Sequence, residues 1–144
     1  MSIRPYKNSD QDAIMQVWYE ASKVGHPFLT EEKLTADRQE IIEKYIPMAK
    51  QWVYEIDGKI VGFIALLDSF IGGLFVDPSY HRKGVGAALI DHVLPLHEKL
   101  TVEVFEQNKI GRSFYTKYGF SKIADKAHDE IPSFLLEIKG KNNS

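Results

Sequence analysis

The stretch Val76-Asp77-Pro78-Ser79-Tyr80-His81-Arg82-Lys83-Gly84-Val85-Gly86-Ala87-Ala88-Leu89-Ile90 decides how this chain is read. An apolar run reaches Val76, a Pro-containing turn breaks it, and Arg82-Lys83 leads through Gly84-x-Gly86 into an apolar helix. Glycines let backbone N–H groups approach a ligand closely, and a helix N-terminus adds roughly half a positive charge there. Together these parts make an anion cradle suited to a diphosphate. No Gly-Lys-Ser/Thr ends the loop, so it is not a nucleoside-triphosphate loop. A dinucleotide fingerprint would need a third glycine and an acidic residue about 20 positions on. Taken alone, the loop reads equally as an ordinary tight turn.

A second signature lies downstream: Asn108-Lys109-Ile110-Gly111-Arg112-Ser113-Phe114-Tyr115-Thr116-Lys117-Tyr118-Gly119-Phe120. The two segments, at this separation, resemble the GNAT superfamily of acyl-CoA-dependent N-acetyltransferases, and the resemblance extends over residues 3–138. It implies that His81, Arg82, Lys83, Gly84, Val85, Gly86 and Ala87 grip the pyrophosphate of acetyl-CoA. It implies that Asn108, Phe114 and Tyr115 hold the pantetheine arm, with Tyr115 near the thioester sulfur. A backbone N–H near Phe75 or Val76 would polarise the thioester carbonyl. His81 stands where the family has Arg or Gln, a place that Arg82 or His81 itself can fill. Gly111 stands where the family has Ala; it lowers helix propensity by about 1 kcal/mol but clears space beside the cofactor. Asn108 is also a good helix N-cap, and both roles can hold together.

The chemistry of acyl transfer narrows the candidates. A thioester expels a thiolate, which a nearby phenol can protonate or hydrogen-bond. Tyrosine, with an ordinary pKa near 10, is protonated at neutrality. Helical spacing over 109–118 puts Ile110, Phe114 and Tyr118 on one core stripe and leaves Tyr115 off it for catalysis. An amine acceptor must lose a proton, and some GNAT enzymes use a glutamate on the strand before the phosphate loop. Residues 70–76 hold no acid, so Glu103, between Val102 and Val104, is the candidate base; its other reading is an outward-facing strand residue. Glu106 and Asp68 are weaker options for that role. His26 and Phe28, in the break after the first helix, are expected to overhang the acceptor pocket. The His-x-Phe-Leu segment there resembles small bacterial lysine acetyltransferases of the YjaB type, while His26 also reads as a structural loop histidine.

Composition bounds the rest. A chain of 144 residues fits one domain, residues 1–140, with a polar tail at 141–144. A net charge of −2 argues against a general binder of nucleic acid or membrane surface. No apolar run is long enough to span a bilayer and no leader is evident, so a cytoplasmic protein is expected. With no cysteine there is no disulfide, no thiolate metal site and no Cys-acyl intermediate. His92 and His97 do not share a helix face, and no metal constellation stands out.

The apolar patterns predict the order β-α-α-β-β-β-α-β-α-β-β, a mixed α/β fold. Ser9 or Asp10 can cap the first helix, and Thr30 the second, which should end at Pro47. Asp57-Gly58 signals a hairpin, Gly72-Gly73 a bulge, and Gly119 a helix stop. The resemblance implies a central sheet splayed between residues 70–76 and 100–105, with helices on both faces. Loops at 24–30 and 124–132, the latter with Asp125, Asp129 and Glu130, would shape the acceptor pocket. The expected activity is direct transfer of an acetyl group from acetyl-CoA to a primary amine (a protein lysine, an N-terminus or a small-molecule amine), by a monomer or homodimer. The alternative is a catalytically idle acyl-CoA-binding domain acting as a sensor or partner module.

Overall fold

The computed structural model describes residues 2–128 and 130–140; Asp129 and the tail at 141–144 lie outside the described residues. β1 (Ser2–Pro5) leads through a short 3₁₀ turn into α1 (Gln11–Gly25). α2 (Glu31–Glu40) passes through a π-turn, Ile41–Tyr45, into a last helical turn, α3 (Ile46–Met48). β2 (Lys50–Ile56), β3 (Lys59–Leu67) and β4 (Phe70–Val76) follow as an antiparallel meander. Then come α4 (Val85–Val93), β5 (Lys99–Phe105), α5 (Lys109–Tyr118), β6 (Ser121–His128) and β7 (Ile131–Lys139). The seven strands lie in the order β1-β2-β3-β4-β5-β7-β6, mostly antiparallel, with β4 and β5 parallel.

Local chemistry explains most of the boundaries. Asp57 and Gly58 both have positive φ, 51° and 79°, which is the two-residue turn whose twist suits a hairpin. Thr30 accepts the Lys33 N–H and caps α2 as its type predicts. Asp10 is different: its carboxylate takes two bonds from Arg4, at 2.8 and 3.0 Å, and one from the Lys7 N–H. It therefore ties β1 to the chain entering α1 instead of capping that helix, and the Arg4 guanidinium holds its carboxyl below the usual carboxylate range. Pro47 does not end the second helix. The helical run from Glu31 continues one residue past it, to Met48, so Pro47 lies in the last turn, just behind the π-turn. The extra residue of the π-turn is what re-phases the helix there.

Two apolar layers sandwich the sheet. One face carries α4 and α5 over Val61, Ile64, Leu100, Val102, Val104 and Leu136. The other carries α1 and α2 over Val53 and Phe63, with Ile14, Trp18 and Leu34 filling between. Along β5 the alternation is strict: Leu100, Val102 and Val104 are buried, and Thr101, Glu103 and Phe105 are half-buried on the opposite side. The hairpin of β6 and β7 pairs as far as His128 with Ile131, so most of the expected loop at 124–132 is strand.

The sheet opens in its middle. β4 and β5 pair at Phe70–Thr101 and Ile71–Val102 and then diverge. Gly72 is the extra residue of a bulge against β3, because Ala65 pairs with Gly73 and Leu66 with Ile71. The bulge and the divergence together leave a wedge between the C-terminal halves of the two parallel strands. Among the described residues no helix is long and apolar enough to cross a membrane.

Candidate active site

The phosphate-binding candidate is built where β4 ends. Asp77 accepts the Ser79 N–H at 2.9 Å, and Pro78–Tyr80 forms a 3₁₀ turn. The chain reverses through Arg82 at φ 64° and Gly84 at φ 80°, and α4 starts at Val85. A Cβ at Gly84 would meet open space, so backbone conformation and not crowding calls for glycine there. Arg82 and Lys83 are exposed, while Val85 is buried and anchors the helix start. His81 does not point outward with them. Its Nε2–H donates to the Val76 carbonyl at 3.1 Å, which stitches the loop to the strand end.

The same strand presents backbone donors to the wedge. The Asp77 N–H bonds the Val61 carbonyl at 2.8 Å, and Phe75 is paired with Phe63 on β3. By alternation the N–H groups of Leu74 and Val76 point the other way, into the splay. Of the backbone groups near the expected donor position, the N–H groups of Leu74 and Val76 face the splay, whereas Phe75 turns its backbone to β3.

A cavity of about 540 Å³ runs from the wedge across the α1–α2 face of the sheet. Glu103, Tyr115, Asn108, His26, Phe75 and Ser133 all line it. Glu103 therefore faces the site and not bulk solvent. The buried Ser133 hydroxyl donates to its Oε1 at 2.9 Å and fixes the carboxylate. Ser133 carries no local sequence signal, since only the β5–β7 register brings the two together.

Tyr115 corrects the reading of α5. It is 7% exposed and is the one residue of this helix in the buried core, whereas Ile110 is 51% exposed. Its ring meets Phe114 at 5.2 Å and Phe120 at 5.1 Å, both edge-on. Burial pushes the phenol pKa well above its ordinary value, so the proton stays on oxygen throughout the physiological range. Core packing and a place on the cavity wall are compatible here, because the wedge cuts into the core.

Asn108 joins both halves of the site. Its Oδ1 accepts the Gly111 N–H at 2.9 Å and caps α5. That assignment leaves Nδ2 as donor toward His26 Nε2 at 3.1 Å, so His26 carries its proton on Nδ1. A Cβ at Gly111 would lie 2.6 Å from Asn108 Nδ2 and 3.2 Å from Val104 Cγ2, so glycine here lets the capping Asn108 side chain keep this position. Burial lowers the His26 pKa to about 4, so the ring is neutral near pH 7. Its Nε2 accepts from Asn108, and its one remaining donor is Nδ1–H. His26, Phe28 and Phe105 meet edge-on at 5.1–5.8 Å and form an aromatic wall. Among the described residues no three His, Asp or Glu side chains gather to hold a metal ion.

This geometry agrees with the comparisons. A model of the acetyltransferase (GNAT) domain matches residues 47–122, just over half of the chain and the part that forms the wedge and cradle. The chain belongs to the GNAT family. It is 31% identical over 137 residues to the peptidyl-lysine N-acetyltransferase YiaC of Escherichia coli, covering 93% of this chain and 94% of that protein. It is 30% identical over 141 residues to the peptidyl-lysine N-acetyltransferase YjaB of the same organism, covering 96% and 95%. The solution structure of apo YjaB from Escherichia coli matches with a TM-score of 0.82 at 29% identity over 97% of each chain.

As a GNAT enzyme the protein is an N-acetyltransferase, and acetyl-CoA is its acyl donor. The residues present fit that donor. A left-handed glycine and a helix N-terminus make a cradle that would suit a diphosphate, and strand N–H groups turned from β3 face the splay beyond it.

Proposed function

We propose that this GNAT enzyme acetylates the ε-amine of lysine side chains in proteins or peptides, by direct transfer within a ternary complex. The observation that carries the reading is the placement of Glu103 and Tyr115 on the wall of one cavity at the β4–β5 splay. A carboxylate in a cavity whose wall includes His26 and Phe105, with Phe28 packed against both, suits a chain of methylenes ending in an amine. The names of the relatives YiaC and YjaB support the same acceptor class.

When bound, acetyl-CoA supplies a thioester whose acyl carbon is open to attack by an amine. Arg82, Lys83 and the N–H groups at the start of α4 bind the diphosphate, and Asn108 keeps one Nδ2–H for the pantetheine arm. The Leu74 or Val76 N–H donates to the acyl oxygen, where negative charge develops during transfer. Glu103, held by Ser133, takes the proton of the acceptor amine as the C–N bond forms. Tyr115 gives its phenol proton or a hydrogen bond to sulfur as the C–S bond breaks. Without cysteine the chain holds no thiol to carry the acetyl group between two half-reactions.

The acceptor assignment is tested with two short peptides that differ in their amines. One has a blocked N-terminus and a single internal lysine; the other has a free N-terminus and no lysine. Acetylation of the first at least tenfold faster is expected. Faster acetylation of the second would assign the enzyme to N-terminal amines.

A further inference from the structure

His26 stands between the two halves of the site, and each of its ring nitrogens bears on one of them. Nε2 accepts from the Asn108 amide at 3.1 Å, while Oδ1 of that amide accepts the Gly111 N–H at 2.9 Å. The Asn108 side chain is boxed in on two sides by glycine. A Cβ at Gly25 would lie 3.4 Å from its Oδ1, and one at Gly111 2.6 Å from its Nδ2. A flipped amide would set donor against donor at Gly111 and leave Nε2 facing an oxygen, so the second Nδ2–H keeps one direction.

The other end of the ring is open. With Nε2 accepting, the proton sits on Nδ1, and among the described residues this N–H meets no protein acceptor. The ring lines the cavity, and Nδ1 is not enclosed: the buried side-chain polar atoms left unbonded among the described residues are Tyr6 Oη and Gln51 Nε2. An oxygen of a ligand can therefore reach it.

The distance from the base says which oxygen that is. Thr101, Glu103 and Phe105 share one side of β5, so Phe105 stands about 7 Å along the strand from Glu103. The His26 ring packs edge-on against Phe105, with centroids 5.1 Å apart. A lysine side chain spans about 6 Å from Cα to Nζ, by its bond lengths. An acceptor whose amine meets Glu103 thus brings its main chain to His26, and the oxygen a peptide offers there is a carbonyl.

We propose that His26 couples the two substrates: through Nε2 it holds Asn108 for the pantetheine arm, and through Nδ1–H it donates to a main-chain carbonyl of the peptide acceptor. Donation from Nδ1–H makes Nε2 a stronger acceptor, which fixes the Asn108 amide more firmly. Each substrate then binds tighter in the presence of the other. The inference rests on the lysine-peptide reading of the site.

Calorimetric titration of the intact protein with CoA, the unreactive product, reads the coupling directly. A saturating blocked lysine peptide is expected to tighten CoA about fivefold. Saturating pentylamine, which has the amine and no carbonyl, should leave CoA affinity unchanged. His26→Gln can offer its Oε1 to Asn108 at the place of Nε2 but has no donor at the place of Nδ1. It should keep the CoA affinity of the parent and lose the coupling. His26→Phe keeps a ring against Phe28 and Phe105 but has neither nitrogen. It should lose the coupling and also bind CoA about threefold more weakly. The proposal is overturned if the peptide does not tighten CoA on the parent, if pentylamine tightens it as much, or if the coupling survives in His26→Gln. CoA affinity unchanged in His26→Phe would equally overturn it. A parent enzyme that binds CoA but does not acetylate the lysine peptide would overturn the lysine reading instead.

Discussion

Replacing Tyr115 with Phe lowers kcat about 100-fold, roughly 2.7 kcal/mol of transition-state stabilisation, and leaves the affinity for acetyl-CoA unchanged. The substitution removes only the hydroxyl. The ring contacts with Phe114 and Phe120 are kept, so the fold and the cofactor helix stay as they are. The loss falls on kcat because the phenol acts on sulfur only as the C–S bond breaks. Burial raises the Tyr115 pKa, so the proton that matters is present at low and neutral pH and is not lost until well into the alkaline range. The parent enzyme should therefore show no fall in kcat from tyrosine ionisation below about pH 10. Stopped-flow measurement of the acetyl-transfer step checks both statements. A variant whose transfer step is as fast as the parent's would remove Tyr115 from the chemistry.

Glu103→Gln has a comparably large effect with a different signature. The glutamine can still accept the Ser133 hydrogen bond through its carbonyl oxygen, so the side chain keeps its place. It cannot take a proton. Activity on a lysine peptide at pH 7.5 is expected to drop about 100-fold and to climb with pH toward the amine's own pKa, about 10.4. The parent enzyme should reach its plateau well below that. Parallel pH–rate profiles for the two proteins would assign proton removal to some other group.

Much of the architecture was legible because its signals are local. Asp57-Gly58 needs two positive φ values, and Gly84 one, and both turns stand where those residues predict. The strand, turn and helix from 76 to 90 and the segment 108–120 carry the family resemblance, and it is that resemblance which implied the splay between β4 and β5. What stayed hidden depends on contacts far apart in sequence. Ser133 reaches Glu103 across 30 positions, and Asn108 reaches His26 across 82. No periodicity encodes either pair.

The misreading of α5 has a simple cause. Helical spacing gives the angle between side chains but not which angle faces the core. Phe114 and Tyr115 are adjacent aromatics about 100° apart, so either could have led the buried stripe. The wedge turned the balance toward Tyr115, and Ile110 was left outside. The π-turn at Ile41–Tyr45 was equally unreadable. It slips the phase of a sequence that otherwise continues as a helix.

Direct transfer between acetyl-CoA and a lysine amine in the wedge is tested most plainly by initial-rate kinetics. Acetyl-CoA is varied at several fixed concentrations of a blocked lysine peptide, and the double-reciprocal lines are compared. Lines that intersect, with no CoA released before the peptide is added, are the result this account predicts. Parallel lines with a burst of free CoA in the absence of peptide would require an acetylated protein side chain and would contradict it.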